Sequence, residues 1–167
     1  MVIRPGDVLF VWGHGIIPDL IEGLTGGPSH VAIFKNENTV IEAQGGRLVG
    51  EQDLSFYLNS GARLEVWTDP ELTDDQRQQM IEFAATLYGT PYDYFLIGLE
   101  LMHEELGLPI GWYHENHHLI CSAFAYTVAD HVCRKWANVP NPDPADLIRG
   151  GVLQKEGVLG KLGEQAS

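Results

Sequence analysis

Apolar and polar positions follow two rhythms along the chain, one close to period 2 and one close to 3.6. Behind the Pro5-Gly6-Asp7 turn, Asp7 to Trp12 is an apolar run rich in β-formers, which predicts a buried strand. Leu20, Ile21 and Leu24 in PDLIEGLTG have helical spacing and are followed by Gly26-Gly27, so a short helix is expected there. SHVAIF, KNEN and TVIEAQ then read as strand, polar turn and strand, a β-hairpin. RLVGEQDLSFYL predicts a short strand and a helical turn from Asp53. Arg63 to Trp67 alternates like a half-exposed strand.

The clearest helix lies in TDPELTDDQRQQMIEFAATLYG. Thr73 is its N-cap, Asp74 and Asp75 suit the positive end of the helix dipole, and Gly89 follows as a stop. Its apolar stripe is Met80, Ile81, Ala84, Leu87 and Tyr88. TPYDYFLIGLELMHEEL predicts a turn and a largely apolar helix, and GWYHENHHL a loop. CSAFAYTVADHVCRKWA predicts a helix from Cys121, with Phe124, Val128, Val132 and Trp136 near helical spacing and Cys133 packed mid-helix. VPNPDPADLIRG is a connector with one more helical turn, and the tail from residue 151 to 167 is expected to wrap or fray. These elements describe one α+β domain with its core at about residues 5–150.

Composition narrows the function classes. Hydrophobic residues make up 44% and charged residues 20%, ordinary for a globular protein. The longest apolar stretches, VLFVW and YFLIGLELM, are too short for a membrane span, so no integral membrane segment is expected. MVIRPGDVLF has no signal-peptide pattern, and a cytoplasmic location is expected unless a non-Sec route or a phage particle carries the protein. A net charge of −13 with scattered basic residues argues against nucleic acid and anionic lipid as partners. Two cysteines do not make a disulfide framework. GxGxxG, GxxxxGK[ST] and GxSxG patterns are absent, and no cofactor is expected.

Cys121 stands where a loop enters the last long helix. Unpaired N–H groups and the dipole at a helix N-terminus favour a thiolate, and the same N–H groups can hold an oxyanion. A small buried hydrophobe is the competing reading of any such cysteine. His30 opens the first hairpin strand and Glu42 ends the second. A three-residue turn, Lys35 to Glu37, sets the two face to face, whereas a two-residue turn puts Ala43 opposite His30. In the first register Glu42 can hold one imidazole nitrogen and leave the other for a thiol. The competing reading of Glu42 is a solvated strand carboxylate.

PGDVLF, SHVAIF, VIEA, GTPYDY, LICSAF and NPDPADL occur in that order between Pro5 and Leu147. The series resembles the permuted NlpC-like branch of the papain-fold hydrolases, in particular the YiiX/YebB-like group. The resemblance implies a circularly permuted papain-like fold, a small antiparallel sheet or barrel packed against helices, with the histidine ahead of the cysteine in the chain. It implies Cys121 as nucleophile, His30 as base and Glu42 as the polar third member. Tyr92 and Asp93 match the family's YD motif, as cleft residues or as a simple turn, and with Ser122 they are the substrate-binding candidates. The His-rich segment GWYHENHHL departs from the family's pattern.

His114, His117, His118 and Cys121 also admit a zinc reading, but no CxxC pair or HExxH accompanies them, and loop histidines are more often exposed polar residues, so no metal is assigned. The expected activity is hydrolysis of a peptide, amide or acyl-ester substrate through an acyl-thioester on Cys121. The alternatives are an acyltransferase or lipid acyl hydrolase of the lecithin–retinol acyltransferase type, or a non-catalytic binding module on the same scaffold.

Overall fold

The computed structural model describes residues 1–13, 27–43, 47–90, 119–139 and 142–160. The helices expected at 18–26 and 91–106, and the histidine-rich loop, lie outside the described residues.

Six strands form one antiparallel sheet in the order β4-β3-β2-β1-β5-β6. They are β1 (Val8–Trp12), β2 (His30–Asn36), β3 (Thr39–Glu42), β4 (Gly50–Asp53), β5 (Arg63–Thr68) and β6 (Gln154–Leu159). The helices among the described residues are α1 (Leu54–Leu58), α2 (Asp74–Thr86), α3 (Leu119–His131) and α4 (Pro144–Arg149). The fold is thus α+β, a six-stranded antiparallel sheet packed with helices. Among the described residues no helix is long and apolar enough to cross a membrane.

The sheet is apolar on both faces, which is why VLFVW is a continuous run. Val8, Phe10, Val31, Ile33 and Ile41 face Met80, Ile81 and Ala84 of α2 and Phe124 and Val128 of α3. The residues between them, Leu9, Val11, Ala32, Phe34 and Val40, pack with Leu64, Val66 and with Leu54 and Tyr57 of α1. Each fully buried large apolar side chain contributes roughly 1.5–3 kcal/mol relative to exposure.

Local chemistry explains the element ends. Asp53 caps α1 and Thr73 caps α2 with a capping box to Gln76, while Asp143 and Asp146 form a second box around Pro144 at the start of α4. Asp7 of the opening turn is fully buried and takes Arg77 Nη1 at 2.8 Å and Thr68 Oγ1 at 2.6 Å, so the PGD turn is tied to α2 and β5.

Two expectations are corrected and one is narrowed. β5 is not half-exposed: it lies between β1 and β6, and Leu64, Glu65 and Val66 are buried. Of the two outcomes expected for the C-terminal stretch, 154–159 wraps rather than frays, because it pairs with β5 as an edge strand. Cys133 is exposed rather than packed in a helix, since α3 stops at His131. There Cys133 takes a left-handed conformation with φ 60°, Arg134 N–H donates to Ala129 O at 3.0 Å and Cys133 N–H to Asp130 O at 2.8 Å. That bond pair is a Schellman stop, formed without its usual glycine.

Candidate active site

The hairpin of β2 and β3 builds the centre of the site. Asn36 pairs with Thr39 across a two-residue turn, Glu37-Asn38, but Phe34 pairs with Val40 and Ile33 with Ile41. Lys35 is therefore one extra residue on β2, a bulge. Continued from the turn without it, the pairing would put His30 and Glu42 on opposite faces, because side chains alternate. With it they share a face, and Glu42 lies level with Ala32, diagonal to His30. Neither of the two registers expected from the sequence is the observed one. The three-residue turn gave the right face and the wrong opposite number.

Diagonal neighbours are within reach of long side chains. His30 Nε2 and Glu42 Oε2 are 2.8 Å apart, with both residues buried. His30 is the first residue of its strand. Just before it, Ser29 N–H donates to Val11 O at 2.8 Å and its hydroxyl lies 3.1 Å from the same carbonyl, so the strand start is anchored to β1.

Cys121 is the third residue of α3, in its first turn. It is 2% exposed, and its sulfur lies near enough to the His30 ring to act on that ring's charge. Because Nε2 already meets Glu42, Nδ1 is left as the ring nitrogen for the sulfur.

The charges reinforce one another. Burial opposes a charged His30, but the Cys121 sulfur and the Glu42 carboxylate outweigh it and push the imidazole up to about 10. Burial likewise opposes the Glu42 anion, yet His30, then Tyr57 and the charge of Arg47, hold it below the usual carboxylate value. A protonated imidazole between a sulfur and a carboxylate is the state this arrangement favours.

Ser122 is fully buried and its hydroxyl donates to Pro142 O at 2.6 Å, tying α3 to the segment before α4. Tyr92, Asp93, His114, His117 and His118 lie outside the described residues. Among the described residues no group of three or more His, Cys, Asp or Glu side chains is placed to hold a metal ion.

Sequence reasoning missed Tyr57. It is fully buried in α1, and its hydroxyl donates to Oε2 of Glu42, the same oxygen that meets His30. No local signal marks it, since SFYL reads as ordinary packing. The sequence matches no model of a known family and no curated protein.

Proposed function

We propose that the chain is a cysteine hydrolase on a circularly permuted papain-like scaffold, acting at an amide or ester carbonyl, with peptide-like amides as the preferred class. The observation that carries this reading is the buried chain of partners Cys121, His30 and Glu42, drawn from α3, β2 and β3. The order His30, Glu42, Cys121 along the chain, with the cysteine in the first turn of a helix packed on the sheet, supports the permuted scaffold.

In the mechanism, His30 Nδ1 holds the proton taken from the thiol, and the sulfur attacks the carbonyl carbon as a thiolate, forming a C–S bond and an oxyanion. First-turn N–H groups of α3, that of Cys121 among them, stabilise the oxyanion. Collapse breaks the C–N or C–O bond as His30 gives its proton to the leaving group, and an acyl-thioester remains on Cys121. His30 then deprotonates a water, which attacks the same carbon. The C–S bond breaks and the acid leaves. Glu42 keeps the ring oriented and its charge compensated throughout.

An activity-based thiol probe tests the assignment on the wild type, Cys121→Ala and His30→Ala. Labelling at Cys121 is expected in the wild type alone at neutral pH. Equal labelling of wild type and Cys121→Ala overturns the nucleophile, and full labelling of His30→Ala overturns the base.

A further inference from the structure

Glu42 must stay ionised in a buried place and must point one oxygen at His30. The pair itself supplies only one restraint on that carboxylate. The second comes from α1. Tyr57 donates its hydroxyl to Oε2, and its ring lies nearly parallel to the imidazole, with centroids 6.0 Å apart and planes at 16°. Tyr57 is itself fixed: Phe56 packs edge-on against it at 5.2 Å, and its carbonyl accepts from Ser60 N–H at 3.0 Å and Ser60 Oγ at 2.7 Å. The helix that carries it starts at the Asp53 cap, and the Leu54 N–H donates to Asn38 O at 2.9 Å. The β2–β3 turn and the tyrosine are thereby joined.

We propose that Tyr57 is a positioning residue of this site, its hydroxyl pinning the Glu42 oxygen that holds His30 while its ring backs the imidazole. The inference rests on reading Cys121 and His30 as a nucleophile–base pair. The phenol cannot act as the base, because burial and the neighbouring Glu42 carboxylate hold its proton far more firmly than in free tyrosine. It is a permanent donor. Charge-assisted bonds of this kind are short and directional, so one fixed donor selects one carboxylate orientation.

Among the described residues, the charged and titratable groups facing His30 and Tyr57 are Cys121 from α3, Glu42 from β3 and Arg47 from the segment before β4. Tyr57→Phe keeps the ring and removes only the O–H. Imidazole NMR on wild type, Tyr57→Phe and Glu42→Gln reads the His30 midpoint directly. A fall of about half a unit or more is expected in Tyr57→Phe, and a larger one in Glu42→Gln, since each removes orientation or charge from the imidazolium. An unchanged or raised midpoint in Tyr57→Phe overturns the proposal and leaves Tyr57 as packing.

A wild-type measurement covers the case in which Tyr57→Phe does not fold. A downfield, slowly exchanging hydroxyl proton with contacts to the Tyr57 ring is expected, moving as His30 titrates. A hydroxyl that exchanges like a free phenol overturns the proposal. Thiol labelling separates this result from the hydrolase reading. Labelling that ignores His30 ends the enzyme reading but leaves the midpoint comparison valid. Labelling that needs His30, beside an unmoved midpoint, removes Tyr57 alone.

Discussion

His30 and Glu42 meet at 2.8 Å although they are not opposite each other in the sheet, because one extra residue, Lys35, shifts the hairpin by a single step. The whole candidate site depends on that step. Without it Glu42 would point to the helix-covered face, with Ile33 and Val31, and His30 would lose its carboxylate.

The pairing makes stability depend on pH. The native state raises His30 from its unfolded value near ~6.5, to about 10. Its contribution is therefore complete below ~6.5 and is lost as pH climbs through the folded value. Glu42 is held down, so its contribution is present above ~4.3 and is lost as pH falls further. Among the described residues, the groups facing the pair are Cys121, Tyr57 and Arg47. The unfolding free energy of the wild type, read from urea curves, is expected to fall between pH 6.5 and 10 by an amount on the order of 1–3 kcal/mol. Glu42→Gln should flatten that fall. Parallel curves for the two proteins would mean that the carboxylate does not hold the imidazolium.

Gly27 lies three residues before His30 and touches α4 closely. A Cβ added there would stand 2.6 Å from the Ala145 Cβ, and Ala145 is held by the capping box at Asp143 and Asp146. Gly27→Ala is expected to destabilise by about 1–3 kcal/mol, and to slow thiol labelling, since Gly27-Pro28-Ser29 leads into the histidine. Ala145→Gly should recover at least half of both losses. Strictly additive effects in the double variant would show that the two residues do not press on each other.

Much of this architecture is legible before any coordinates. VLFVW, the SHVAIF–TVIEA hairpin and the Thr73 cap each have a local cause, and so do the helix entry at Cys121 and the candidacy of His30 and Glu42. What escapes has a non-local cause. The Lys35 bulge depends on how a turn and two apolar faces compromise. β6 is a mostly polar edge strand, QKEGVL, defined by β5 rather than by its own pattern. Arg77 sits on the apolar stripe of α2 yet is buried only because Asp7 lies some seventy positions away. Tyr57 acquires its partner only when α1 folds back beside β3.

Arg77 gives the sharpest stability prediction outside the site. Its side chain is 3% exposed, and it reaches Asp7 Oδ1 at 2.8 Å, Pro5 O at 3.0 Å, Thr68 Oγ1 at 3.0 Å and Asp69 O at 3.1 Å. Arg77→Met leaves a buried carboxylate without its cation and is expected to cost about 3–5 kcal/mol in urea unfolding. The double variant with Asp7→Asn should cost clearly less than the sum of the two singles. A loss below about 1 kcal/mol for Arg77→Met would place the pair in the weak class of exposed salt bridges.

Cys133 offers a gain. It occupies the C′ position of α3 with φ 60°, where an L side chain pays roughly 1–2 kcal/mol and glycine does not. Glycine also enlarges the freedom of the unfolded chain, which takes back about half of that advantage. Cys133→Gly is therefore expected to raise stability by about 0.5–1 kcal/mol, read as a higher urea midpoint at unchanged slope. It also removes the exposed thiol and leaves Cys121, which is buried, as the only cysteine in the chain. Mass spectrometry should then find one label per molecule, added at the wild-type rate of the Cys121 site. A lower midpoint would show that Cys133 makes a contact worth more than its backbone strain.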